Sequence, residues 1–303
     1  MRTRHLGSSD LEVTVVGLGC NNLGRRIDEA ASRAVIDAAL DAGVTFFDTA
    51  DVYGNRGGSE EIIGRALAGR REQVVLATKF GHELGDGETA QGARPYIRKA
   101  IEASLRRLQT DRIDLYQYHR PDGVTPLAET LEALHELVQE GKVRAIGSSN
   151  FTAAMVEEAS AIASERGLTP FVSEQSEYSW LRREAEEELL PACERTGVGF
   201  IPYFPLASGL LTGKYPRGEP SREGTRLHGR ELANEDLAAV ERLQALGERH
   251  GASLLEVAVG GLAAVPGVVS VIAGATKPEQ VRANAEAGAW EPTADELAEL
   301  LAL

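Results

Sequence analysis

Short runs of β-branched and aliphatic residues alternate along the chain with longer segments in which apolar positions recur every three or four residues. The short runs predict strands at Val13–Leu18, Thr45–Phe47, Gln73–Thr78, Ile113–Gln117, Val143–Gly147, Phe171–Glu174, Gly199–Pro202 and Val268–Ile272. Between them, Ile97, Ile101, Leu105 and Leu108, or Leu127, Leu131, Leu134 and Val138, form single apolar faces at helical spacing. Thr125-Pro126 reads as a helix start, and Ala42-Gly43 and Glu140-Gly141 as stops. Strands that alternate with helices pair in parallel through right-handed crossovers. Eight such units without a linker predict an α/β fold, a single (β/α)8 TIM barrel over residues 1–303. A doubly wound open sheet is the rival. Arg2 to Leu11, around Gly7-Ser8-Ser9, predicts an N-terminal β-hairpin across the barrel floor, and Asp295–Leu301 a C-terminal helix. Leu210 to Arg230, with Gly213, Pro216, Gly218, Pro220 and Gly224, has no clear period. Loops of that length are usually functional, so it is expected on the active-site face, folded over a ligand.

Val257 to Thr276 contains no charged residue over a length able to span a bilayer. Pro266-Gly267 divides it into a helix-like half and a short strand, so a buried segment is expected. The 303 residues carry 32 Lys+Arg against 46 Asp+Glu, a net charge of −14, which argues against a nucleic-acid partner. Cys20 and Cys193 form no CxxC pair, and no apolar stretch follows the basic N-terminus. A cytoplasmic protein without membrane attachment is therefore expected. Six histidines without HExxH predict no metal site, and no GxSxG elbow offers an acyl-transfer nucleophile.

In a barrel of this kind the chemistry sits where strands end. Asp48 follows the second strand with Tyr53 in the same loop, Lys79 follows the third and His119 the fourth. Singly these read as a turn cap, a solvated lysine and a rim histidine. Together they form a proton donor, because a cation near a phenol favours its anion and a carboxylate would hold that cation in place. His119 would then orient a substrate oxygen.

Asp48-Thr49-Ala50 leading to Tyr53-Gly54, then Lys79 and His119, resembles the Asp-Tyr-Lys-His tetrad of the aldo-keto reductases. Gly141 to Phe151, Gln175 to Tyr178, Tyr203 to Leu206, Leu211 to Tyr215 and Gly274-Ala275 with Gln280 and Asn284 follow in that family's order, over essentially the full chain. The resemblance implies an NADP(H)-dependent oxidoreductase acting on a small-molecule carbonyl or sugar-like substrate, with no Rossmann domain. It implies catalytic roles for Tyr53, Asp48, Lys79 and His119. Ser149, Asn150 and Gln175 would hold the nicotinamide carboxamide, and Tyr203 would stack on its ring. Phe204, Leu206, Ser208 and Lys214 would meet the pyrophosphate, and Lys277, Gln280 and Asn284 the adenosine end. Gly19, Cys20, Asn21 and Gly274 are placed along the same site. Tyr118, Trp180 and the loop near Tyr215 are expected to shape substrate choice. Gln280 stands where many members place an arginine against the 2′-phosphate, which leaves Lys277 as the nearby cation and NAD(H) as the alternative cofactor. Two other readings are a cofactor-sensing regulatory subunit similar to potassium-channel β subunits and an aldolase using Lys79 as a Schiff base. Oligomeric state is not legible.

Overall fold

The computed structural model describes residues 1–303 except 86, 216 and 218–222. Pro216, Gly218 and Pro220 of the expected ligand-covering loop lie outside the described residues. A two-stranded antiparallel hairpin, β1 (Thr3–His5) with β2 (Glu12–Thr14), precedes eight parallel strands. These are β3 (Val16–Gly19), β4 (Phe46–Asp48), β5 (Val75–Phe80), β6 (Ile113–Tyr118), β7 (Val143–Ser149), β8 (Phe171–Glu177), β9 (Gly199–Tyr203) and β10 (Val271–Gly274). They pair in the order β10-β3-β4-β5-β6-β7-β8-β9. A parallel bridge between Phe200 and Val268 links the two end strands, with Phe200 donating to Gly267 O at 2.9 Å and Val269 to Phe200 O at 2.9 Å. The sheet thus curls into the expected barrel.

Around it run α1 (Glu29–Asp41), α2 (Tyr53–Ala66), α3 (Arg94–Leu108), α4 (Leu127–Gln139), α5 (Ala153–Arg166), α6 (Leu189–Thr196), α7 (Asn234–Arg249), α8 (Leu254–Glu256), α9 (Pro278–Ala287) and α10 (Ala294–Leu301). The predicted face of α3 is buried throughout, because Ile97, Ile101, Leu105 and Leu108 all lie against the barrel. Side-chain caps begin several helices, among them Asp28 at α1 and a Thr293/Glu296 capping box at α10. The uncharged run after α8 opens as a buried π-helical turn, Val257–Gly261. Among the described residues no helix is long and apolar enough to cross a membrane.

Two expected boundaries are corrected. The run Val13–Leu18 is split, since Val13 and Thr14 belong to the hairpin and only Val16 onward joins the barrel. The last strand starts at Val271 rather than Val268, whose residues make the closing bridge instead. The hairpin closes the barrel floor. Leu6, Leu11 and Val13 form one buried cluster with Phe46, Ala77, Leu115, Ala145, Val172, Ile201 and Ile272. Gly7 permits this contact, with φ +54 and a backbone that presses on Val172 so closely that a Cβ would sit 2.1 Å from its carbonyl oxygen.

Candidate active site

Side chains along a strand alternate between faces, so the residue two positions beyond an inward apolar side chain also points into the barrel. That rule places Asp48 above Phe46, Lys79 above Ala77, Gln117 above Leu115 and Gln175 above Ser173. Pairing of Asp48 with Ala77 and of Lys79 with Gln117 staggers them within reach of one another. An apolar lower layer therefore carries a polar upper one. Lys79 Nζ donates to Asp48 Oδ2 at 2.6 Å and to Thr49 O at 2.9 Å. Asp48 Oδ1 accepts from Gln117 Nε2 at 3.1 Å and from Gln175 Nε2 at 2.9 Å. Lys79 is 0% exposed and lies below the cavity surface, which Asp48, Tyr53 and His119 line.

Burial opposes the Lys79 ammonium, but Asp48 and Tyr53 outweigh it and hold its pKa above the ordinary value. Lys79 Nζ sits 5.3 Å from the Tyr53 ring centroid. Burial of the Tyr53 phenol raises its pKa, and the lysine charge offsets this only in part. The phenol is therefore protonated at neutral pH, as a proton donor must be. His119 meets Tyr53 edge-on, with ring centroids 5.8 Å apart. Burial first, then Lys79, His82 and Arg120, pushes its pKa well down, so the imidazole is neutral. Its Nδ1 is buried without a hydrogen-bond partner, which leaves Nε2 as the nitrogen that can meet a ligand.

The backbone after Tyr53 turns left-handed at Gly54, Asn55, Arg56 and Gly57 before α2 proper begins. Each non-glycine residue in that conformation costs roughly 1–2 kcal/mol, a strain of the kind found at functional sites. Arg107 lies beneath the turn and ties it down by bonding the fully buried Glu60 at 2.6 Å.

The cavity at the strand ends has a volume of about 770 Å³. Its walls include every residue the sequence assigned to the cofactor: Gly19, Cys20, Asn21, Ser149, Asn150, Gln175, Tyr203, Phe204, Leu206, Ser208, Lys214, Gly274, Lys277, Gln280 and Asn284. Cys20 is fully buried, and burial raises its thiol pKa far above the ordinary range. Asn150 takes φ +59, with Nδ2 donating to His119 O at 3.0 Å and Oδ1 accepting from Tyr203 OH at 2.9 Å. Past β9, positive φ at Phe204, Ala207 and Ser208 shapes a tight turn along the wall. Lys214 crosses Gly209, where a Cβ would stand 2.5 Å from its Nζ. Gln280 folds back onto its own turn, its Oε1 accepting from Thr276 N at 2.8 Å.

Thr212, Lys214 and Glu223 to Arg226 line the cavity, so the described flanks of the Leu210 to Arg230 segment do lie on this face. Tyr118 and Trp180, expected to shape substrate choice, do not line it, and within the loop expected to share that role Tyr215 itself does not either. Tyr118 stacks on Phe80 behind β6, Trp180 donates to Val257 O at 2.8 Å, and Tyr215 is buried with its hydroxyl accepting from Leu227 N. Asn22 lines the cavity with the rest of the strand-one loop, as expected, while sequence reasoning missed Arg26, His82, Arg120 and Arg226. His82 and Arg120 were within reach, since each lies two residues past the end of a strand, β5 with Lys79 inside it and β6 with His119 just after it. Arg26 and Arg226 come from loops with no periodic signal.

A family model described as "Aldo/keto reductase family" matches residues 15–303. The chain is 40% identical over 294 residues to "Uncharacterized oxidoreductase YrpG" of Bacillus subtilis (strain 168), covering 93% of this chain and 89% of that protein. It is 37% identical over 304 residues to "Aldo-keto reductase YhdN" of the same organism, covering 96% and 89%. To a "Probable voltage-gated potassium channel subunit beta" of Oryza sativa subsp. japonica it is 36% identical over 300 residues, covering 95% and 91%.

Proposed function

Because the chain belongs to the aldo/keto reductase family, and so to a family of oxidoreductases, we propose that it reduces an aldehyde or ketone to an alcohol with NADP(H), Tyr53 acting as the general acid. The observation that carries this reading is the buried Lys79–Asp48 pair set beneath a protonated Tyr53 and a neutral His119 at the base of one cavity.

The cavity fits an extended anionic dinucleotide. Lys214, Lys277, Arg26 and Arg226 line it without an ion pair among the described residues, beside the tight turn at 204 to 208. When bound, the cofactor supplies the hydride that the carbonyl carbon accepts. Ser149 and Asn150 would hold the carboxamide together with Gln175, whose Nε2 is already engaged by Asp48 and Gln117, so it offers its oxygen. Tyr203 would pack against the ring. His119 would donate from Nε2 to the carbonyl oxygen, and Tyr53 would pass its proton to the same atom. The phenolate left behind is stabilised by the Lys79 charge, which Asp48 keeps in place. A Schiff-base role for Lys79 finds no support, since the amine is fully buried and held in its charged form.

Replacing Tyr53→Phe is expected to lower turnover by about 10²–10⁴ while the dissociation constant for NADPH stays within about threefold. Normal turnover by that variant would defeat the assignment. Titration with NADPH and then NADH, followed by fluorescence quenching, tests the cofactor, and equal affinities would defeat the NADP(H) preference. The name of the rice relative favours a second reading, a cofactor-sensing regulatory subunit. Tight NADPH binding with no oxidation by any of a panel of activated aldehydes would support that reading instead.

A further inference from the structure

Among the described residues five cations line the cavity: Arg26, Arg120, Lys214, Arg226 and Lys277. None of them is in an ion pair among the described residues, although arginines elsewhere are widely paired, as Arg70 is with Asp37, Arg98 with Glu136 and Arg182 with Asp236. In a chain with 46 acidic residues against 32 basic ones, unpaired cations gathered in one cavity mark where negative charge is to be received. Four of the five belong to the cofactor end. Lys214 and Lys277 flank its assigned phosphate and adenosine residues, and the Arg226 guanidinium, 5.0 Å from the Phe204 ring, feels the charge of Arg26.

Arg120 is set apart. It follows His119 at the end of β6, and its charge acts on His119 and on Tyr203, where Glu177 acts in the opposite sense. His82 lies beside His119, with ring centroids 5.0 Å apart, and lines the same cavity as Arg120; among the described residues its ring makes a 3.4 Å contact with Glu83 O. Asp48, already bound to Lys79, is the carboxylate that lines this end. Phosphates held by the other four cations would leave Arg120 without a partner. Its planar fork matches a carboxylate or a phosphate, and a ring N–H of His82 adds a second donor.

We propose that Arg120 and His82 form a subsite for an anionic group on the substrate, so that this protein prefers carbonyl compounds bearing a carboxylate or phosphate a few bonds from the carbonyl. This rests on the reductase reading above. Two matched pairs test it with NADPH in steady state: succinic semialdehyde against butyraldehyde for the carboxylate, and glyceraldehyde 3-phosphate against glyceraldehyde for the phosphate. In at least one pair the anionic member is expected to have kcat/KM higher by about tenfold or more, carried mainly by KM and weakened by salt. In Arg120→Gln that ratio is expected to fall toward one. Ratios near one in both pairs, or a ratio retained in Arg120→Gln, would overturn the proposal. Calorimetric titration of the NADP-loaded protein with succinate supplies a readout without turnover. Binding weakened about tenfold by Arg120→Gln supports the subsite and binding unchanged by the substitution refutes it; where succinate does not bind, the same titration with glycerol 3-phosphate decides, and no binding of either refutes it. If none of the four aldehydes is reduced, the reductase reading fails while the titration still decides the subsite.

Discussion

Asp48→Asn should be among the most damaging single substitutions this chain can carry. Asp48 is the carboxylate bonded to Lys79, and the ammonium is 0% exposed, so its replacement leaves a buried charge with neutral acceptors alone: the Thr49 carbonyl, the Tyr53 hydroxyl and the new amide oxygen. Breaking a buried pair from one side typically costs about 3–5 kcal/mol. An independent limit comes from protonation. The amine escapes the penalty by releasing its proton, which at pH 7 costs at most about 4.6 kcal/mol, roughly 1.36 kcal/mol for each unit below an unfolded pKa of about 10.4. That limit falls to about 1.9 kcal/mol at pH 9. The sign follows from linkage. In the variant the unfolded chain would bind a proton that the folded one has shed, so its stability rises with pH. In the parent Lys79 is held above its ordinary value and is charged in both states across this window, which gives no slope. Urea unfolding at pH 7 and pH 9 should therefore show a deficit of about 3–4.6 kcal/mol at pH 7 that narrows by up to about 2.7 kcal/mol at pH 9. Lys79→Met should cost less, because Asp48 keeps the amide donors of Gln117 and Gln175, each contributing about 1.5–3 kcal/mol to a charged acceptor. A deficit below about 1 kcal/mol in Asp48→Asn, or one that does not narrow at pH 9, would refute this account.

Three further outcomes are expected. Asp51, buried near Glu60 with one carboxyl oxygen unpartnered, is pushed up to about 8 by burial, so the folded protein keeps a proton the unfolded chain loses and stability falls as pH rises toward 8. Asp51→Asn should remove that slope, and melting temperatures of the variant and parent that stay parallel from pH 5 to pH 9 would contradict it. His119 should remain neutral from pH 8 to pH 5, giving a flat imidazole NMR signal, and a midpoint near 6.5 would show the ring to be solvated. Gly64→Ala, which in a free helix would add about 1 kcal/mol, should here cost about 1–3 kcal/mol, because its Cβ would lie 2.5 Å from Arg107 O. A raised denaturation midpoint for Gly64→Ala would mean that α2 and α3 are packed less tightly than described.

Most strands end one to three residues later than hydrophobicity indicates, and the reason is functional. Lys79, Ser148, Ser149, Gln175 and Ser176 look like loop residues, yet each lies within its strand, because the upper end of this barrel is lined with polar groups. The left-handed turn after Tyr53 was hidden for another reason. Gly54-Asn55-Arg56-Gly57 reads as an ordinary glycine-rich loop, and its hold on Arg107 involves a helix far along the chain. Tyr118 and Trp180 were misplaced because aromatic residues near a site are equally suited to the layer behind it, and only packing chooses between the two.

By itself the sequence determined the alternation of strands and helices, hence the barrel, and also which residues stand at strand ends, hence the four proposed here as a tetrad. Both are properties of local order along the chain: period, and position within a repeat. Whether Asp48 reaches Lys79, whether a phenol is protonated, and which cations go unpaired depend on register, burial and distance between segments up to hundreds of residues apart. Arg26, Arg120 and Arg226 are three arginines among many until the closed sheet brings them to one cavity, where none of them is in an ion pair among the described residues. Electrostatic energy depends on separation and solvent exposure, and those two quantities exist only once the chain has folded.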